Sequence, residues 1–265
     1  MKKRMLAMLL SALLLVSVTA CGAPLNGQDD NTTTTAPQDQ GTGEPAPSDA
    51  LNTSFATYAD ILGTYETLLS HKNADPSGYD NDYIAQYGDL DNEILDAIFH
   101  AVTQLSPRRA GYGLKDLNMD GTPELFLMDE QYCLQSVFAI VDGKPQVLAR
   151  FWSDTVALDA DGAIYVSSYG KGENWDVRES RMSEAGTLTA FVVGCSDKDI
   201  NDTAVEYFKV ENAVFSARDN SLIGGERSVI GREEVEVLFA QYEEILHDPA
   251  ATTRASGIVF TLMLK

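Results

Sequence analysis

The spacing of the apolar residues changes near Tyr112 and changes back near Val235, and this limits the fold more than any other feature of the chain. Before the first change, Phe55, Tyr58, Leu62, Tyr65 and Leu69 recur in steps of three and four. That is one face of a helix, with Thr53 or Ser54 placed to cap it. Ile94, Leu95, Ile98, Val102 and Leu105 repeat the pattern between a cap at Asp91 and Pro107, whose missing N–H stops continuation. Asn73, Asp75, Pro76, Gly78 and Gly88 mark the stretch between the two as loop. From Tyr112 onward the runs are short and β-prone: 124–128, 136–141, 146–152, 156–158, 163–168, 175–181, 188–193, 205–210 and 213–217. Turn signals such as Asp142-Gly143 and Asp161-Gly162 separate them. Val235, Leu238, Phe239, Tyr242 and Leu246 then restore the helical step, with Glu233 and Glu234 in a first turn where negative charge suits the dipole. Residues 258–264 read as a last strand. The expected class is α+β, with N-terminal helices, an antiparallel β-meander and a C-terminal helix packed on the sheet.

The first fifty residues carry a different kind of information. Lys2, Lys3 and Arg4 precede the charge-free run 5–18, shorter than the roughly 20 apolar residues needed to span a bilayer. A basic start followed by a short apolar run reads as a leader peptide over residues 1–20. Val18-Thr19-Ala20-Cys21 closes it. Residues 22–52 hold Thr32-Thr33-Thr34-Thr35 and Pro37, Pro45 and Pro47 among Gln, Gly, Asp and Ser. Such a segment buries too little apolar surface to offset the entropy of ordering it, so 21–52 is expected to be a tether and 53–265 one α+β domain.

The chain holds 19 Lys and Arg against 40 Asp and Glu, a net charge of −21. Nucleic acid is therefore excluded as a partner, since binding phosphate needs a basic face. Most of the carboxylates are scattered, but one group is spaced. Asp116, Asn118 and Asp120 stand at positions one, three and five, Gly121 at six, Thr122 at seven and Glu124 at nine. Alternate residues of a tight loop can aim their side-chain oxygens at one point, and glycine at six permits the sharp reversal. A hard cation such as Ca²⁺ wants six to eight oxygens, which these side chains, the Thr122 carbonyl and water would supply. Asp142-Gly143 and Asp161-Gly162 lack the pattern and read as plain hairpin turns.

Other constellations carry less. Ser168-Tyr169-Gly170-Lys171 has the bare spacing of a Ser-x-x-Lys nucleophile, but that chemistry needs both residues on one helix face and this stretch is β-prone. His71, His100 and His247 are single and read as helix-end or surface residues, which leaves no zinc cluster. Cys133 and Cys195 either pair in an oxidising exterior or persist as two buried thiols. Tyr165, Ser167 and Tyr169 share one strand face with Trp175 beyond, which reads as core or sheet-face packing, the other reading being a platform on which a sugar stacks.

Val18-Thr19-Ala20-Cys21 resembles the lipobox of bacterial lipoproteins, and the resemblance implies that Cys21 receives a diacylglycerol and becomes the mature N-terminus. The loop spacing resembles the calcium loops of EF-hands, dockerins and integrin-type repeats. It departs from the EF-hand at position twelve, where Leu127 stands in place of the bidentate Glu, and is nearer the integrin-like version, a calcium loop between strands. Lipobox, tether and the DxNxDGxPEL loop together resemble a set of uncharacterised Gram-positive secreted lipoproteins. The resemblance implies a lipid-anchored protein on the extracellular face of the cell membrane, with structural Ca²⁺ on Asp116, Asn118, Asp120, Thr122 and Glu124. The expected role is a non-catalytic binding or envelope-interaction module whose partner is a cell-wall or host glycan or a protein. The competing expectation is a secreted hydrolase of cell-wall or host glycans. A solute receptor is disfavoured, because two α/β lobes would need a repeated β-α pattern.

Overall fold

In a computed structural model, residues 55–75, 92–152, 155–169, 174–197, 205–216 and 221–264 are described. The expected leader (1–20), Cys21 and the expected tether (21–52) lie outside them, and residues 53–265 form one compact unit. The expected α+β class holds: helices precede and follow a run of antiparallel strands.

Helix α1 spans Tyr58–Ala74 and α2 spans Glu93–Gln104. Both start slightly later than the apolar spacing suggested. The Asp60 carboxylate accepts the N–H of Thr57 at 2.8 Å and of Ala56 at 2.9 Å, so the chain at Phe55 is still outside the helix. Asn92, not Asp91, caps α2, its Oδ1 accepting from the N–H of Ile94 at 3.2 Å. Lys72 closes the other end of α2: its Nζ donates to the carbonyls of Val102, Thr103 and Leu105, three groups that the helix cannot satisfy itself.

Among the described residues, twelve strands form two antiparallel sheets. The first has the order β12-β1-β2-β3-β4, with β1 Ala110–Lys115, β2 Glu124–Asp129, β3 Leu134–Val141, β4 Lys144–Arg150 and β12 Thr261–Leu262. The second has the order β10-β9-β8-β7-β6-β5, with β5 Thr155–Leu158, β6 Ile164–Tyr169, β7 Trp175–Met182, β8 Leu188–Asp197, β9 Val205–Ser216 and β10 Ser221–Ile223. Strand β11, Glu226–Val229, pairs with β9 on the same edge as β10. Helix α3 spans Arg232–His247 and α4 spans Pro249–Ala255.

Alternation along the strands assigns the layers. Phe126, Met128, Val137 and Leu148 of the first sheet meet Val156, Leu158, Ile164, Val166 and Phe215 of the second in one buried core. The opposite face of the first sheet carries the N-terminal helices. Ser136 Oγ donates to the Ala97 carbonyl at 2.9 Å, Tyr58 OH donates to the Phe138 carbonyl at 3.0 Å, and Arg150 pairs with Asp96. The opposite face of the second sheet is covered by α3, whose Val235, Leu238, Phe239 and Tyr242 pack on Ala157, Tyr165, Val177 and Val193. The result is four layers, helix–sheet–sheet–helix.

This layering corrects one expectation and decides between two others. His100 is not a surface residue: it is buried under α2, with Nε2 2.9 Å from the Phe151 carbonyl and the Trp152 ring 4.1 Å from its own. Burial pushes its pKa below the usual histidine value. Of the two readings for the Tyr165 face, packing holds. Tyr165 is buried beneath Tyr242, ring centres 5.8 Å apart, and the Trp175 ring meets Phe239 edge-on at 5.0 Å. An apolar strand face next to an amphipathic helix gains more by covering that helix than by standing open to water.

Candidate functional site

The spaced carboxylates occupy the loop between β1 and β2, which pair in register from Ala110↔Asp129 to Lys115↔Glu124. The loop therefore closes a hairpin between two strands. Met119, at φ 61°, and Gly121, at φ 90°, both adopt left-handed backbone there. Nothing lies within 4 Å of a Cβ built on Gly121, so glycine is needed at that point for its conformation and not for space.

The loop's side-chain oxygens turn inward onto its own amides. Asp116 Oδ2 accepts the N–H of Gly121 at 2.8 Å and Oδ1 that of Asp120 at 3.2 Å. Asp120 Oδ1 accepts the N–H of Thr122 at 2.7 Å, which holds its pKa below the ordinary carboxylate value. Asn118 bridges the middle: Oδ1 accepts from the Asp120 N–H at 3.2 Å and Nδ2 donates to Asp120 Oδ2 at 3.0 Å. Glu124 differs from the rest. It heads β2, is only 1% exposed, and its Oε2 accepts the Leu117 N–H at 2.7 Å. Its pKa is pushed up to about 7, first by burial and then by the negative charges of Asp116 and Asp120.

The structure thus brings Asp116, Asn118, Asp120 and Glu124 into one hydrogen-bonded loop, with Thr122 joined to it through its N–H. Among the described residues no three His, Cys, Asp or Glu side chains are gathered closely enough to hold a metal ion. The donor set is all oxygen and suits a hard cation, and the Asn118 amide N–H sits against Asp120 Oδ2 where such a ligand set would place positive charge.

The loop is also tied to the second sheet, which the spacing of its residues could not show. Lys115 Nζ donates at 3.0 Å to the carbonyl of Ala160, in the β5–β6 turn, and to that of Ser256 after α4. Gly162 of the same turn, at φ 81°, comes so near that a Cβ on it would lie 2.5 Å from the Leu117 carbonyl oxygen. The Asp161-Gly162 turn is a plain hairpin turn that also serves as the second sheet's contact with the acidic loop.

Cys133 and Cys195 are not bridged to each other. Cys195 is buried on β8, and Cys133 lies half-buried in the β2–β3 turn, where Gln135 Nε2 donates to its Sγ at 3.3 Å. Ser168 lies on strand β6, not on a helix, and Lys171 is outside the described residues. Among the described residues no helix is long and apolar enough to cross a membrane.

A second concave feature was missed in the sequence. An open hollow of about 330 Å³ on the second sheet is lined by Glu179, Arg181, Thr189, Ala190, Phe191, Glu211 and Asn212. Its residues come from three strands, and no linear spacing connects them.

No family model, curated protein or solved structure matches this chain.

Proposed function

We propose that the chain is a lipid-anchored extracellular protein whose folded part is a calcium-stabilised, non-catalytic binding module. The observation that carries the calcium reading is Glu124: a buried carboxylate, raised to about 7, beside Asp116 and Asp120 on a one-three-five-nine loop. Like charges held together in a partly desolvated loop favour a divalent cation that neutralises them. Asp116, Asn118, Asp120, Glu124 and the Thr122 carbonyl would hold Ca²⁺. The ion's part is structural, since the loop closes the β1–β2 hairpin and abuts the β5–β6 turn. Anchorage rests on Val18-Thr19-Ala20-Cys21 and places the module outside the cell membrane; an acyl chain contributes about 0.8 kcal/mol per buried methylene.

The binding reading is favoured over hydrolysis by the hollow's charges. Glu179 is paired with Arg181 at 2.9 Å and Glu211 with Lys209 at 3.4 Å, so each carboxylate faces a cation. A hydrolase pair needs one carboxyl kept protonated and the other free to act, not two neutralised ones. Titration calorimetry with calcium on the purified protein tests the proposal. Heat of binding, a melting temperature that rises with calcium and falls with chelator, and poor substitution by magnesium are expected, because Mg²⁺ demands stricter octahedral geometry. No heat at millimolar calcium with an unmoved melting curve would leave the loop a plain acidic turn.

A further inference from the structure

The hollow on the second sheet is built by a defect in the strand ladder. Strand β8 pairs Ala190↔Ala213 and Val192↔Val210, so Phe191 alone opposes both Glu211 and Asn212. That is a β-bulge, and Asn212 takes the left-handed backbone it requires, at φ 55°. On the other edge the bulge breaks the partner strand in two: β10 pairs with residues 214–216 and β11 with 208–211, while Gly225 crosses between them. A Cβ on Gly225 would lie 2.9 Å from the Glu211 carbonyl oxygen, so the crossing fits glycine alone. Bulges re-aim side chains, and this one adds Glu211 and Asn212 to a wall already made by Glu179 and Arg181 of β7 and by Thr189 and Phe191 of β8.

The chemistry of the wall selects its ligand. Phe191 packs against the α3 core and lines the hollow, which supplies one apolar surface. Around it stand two ion pairs, Glu179–Arg181 and Glu211–Lys209, with Lys209 also 3.6 Å from Glu234 of α3. Tyr242 OH donates to Glu179 Oε2 at 3.3 Å and Arg181 Nε to Oε1 at 2.9 Å, which fixes that carboxylate from two sides. The hollow thus offers acceptors and donors side by side, with each lining carboxylate already paired to a cation. A cation would meet arginine and lysine, and an anion would meet two glutamates. A neutral ligand that both donates and accepts at adjacent positions and has an apolar face satisfies all of it, and a sugar ring has those properties.

We infer that the bulge-built hollow formed by Glu179, Arg181, Thr189, Phe191, Glu211 and Asn212 is a binding site for a neutral saccharide. The inference gives the binding module proposed above a place and a ligand class, and rests on that reading. The test uses the full-length lipoprotein in detergent, titrated with neutral oligomers of glucose, mannose and N-acetylglucosamine and followed by saturation-transfer NMR. Saturation transfer to one of these oligomers at millimolar concentration is expected, with affinity reduced about tenfold by Arg181→Ala and by Glu211→Gln, each of which removes a hydrogen-bonding charge. Arg181→Lys should restore part of the loss. Circular dichroism of each variant separates loss of the site from loss of the fold, and Arg109→Ala, at the Arg109–Glu130 ion pair beside the first sheet, should leave binding unchanged. Absence of transfer from all three oligomer classes would overturn the inference, as would binding that the hollow variants leave intact. Retention of the protein on isolated cell envelopes is measured in parallel. Retention without saccharide binding would sink the saccharide site alone, whereas failure of both would sink the binding module.

Discussion

Replacing Glu124 by glutamine isolates what the acidic loop costs the fold without an ion. Glutamine keeps an oxygen to accept the Leu117 N–H but removes the charge that Asp116 and Asp120 oppose. In the folded chain the carboxyl is raised from an ordinary 4.5 to about 7, so the folded state holds this proton more tightly than the unfolded state does. Stability must then fall as pH rises between those two values, because over that interval the native state binds more protons. The whole shift is worth about 3 kcal/mol, reached above the folded value and absent below the unfolded one. In chelator the glutamine variant should match the native protein near pH 4.5 and exceed it by up to about 3 kcal/mol at pH 8. For a domain of this size that is about 6–12 °C in melting temperature. Calcium should reverse the order at pH 8, since the ion neutralises the native carboxylate while glutamine is a weaker ligand. Thermal unfolding by circular dichroism at both pH values, with calcium or with chelator, reads all four states. An offset between the two proteins that is the same at both pH values in chelator would refute the electrostatic account of Glu124.

Asp120→Ala should erase most of the calcium response; for the native loop that response is about 2.7 kcal/mol when calcium is 100-fold above Kd, checked by melting curves with and without the ion. Gly162→Ala should destabilise the domain by about 1–3 kcal/mol in denaturant unfolding, from the left-handed backbone and the 2.5 Å approach to the Leu117 carbonyl. Phe126→Ala, at a fully buried position between the sheets, should cost about 3–5 kcal/mol by the same measurement. Cys21→Ser should abolish incorporation of labelled fatty acid and move the protein from the detergent phase to the aqueous phase; an unchanged partition would refute anchorage.

The elements that one face of water and core could specify were legible before any coordinates. Tyr65, Leu69, Ile98 and Val102 declare helices because a helix with one dry face must repeat in steps of three and four. Asp142-Gly143 declares its turn because two consecutive left-handed residues, here at φ 51° and 75°, suit those two side chains. The acidic loop was legible as a spacing, since its oxygen-bearing positions lie within nine residues and depend on local backbone alone. Elements without such a signal were missed. Strand β1 is interrupted by Gly111 and Gly113, whose absent side chains make room for Phe260 and Ile258, so its β character comes from its neighbours. Strand β9 reads as two runs because Glu211 and Asn212 break its alternation, yet it is one strand with a bulge. Residues 258–264 look like a strand but yield only Thr261–Leu262, paired with Tyr112 and Gly111 at a sheet edge. Which sheet each hairpin joins, that α3 covers Tyr165 and Trp175, and that Gly162 meets Leu117 were decided by burial between distant segments. Such contacts depend on which apolar faces find each other once the chain collapses, and local residue order does not encode that choice.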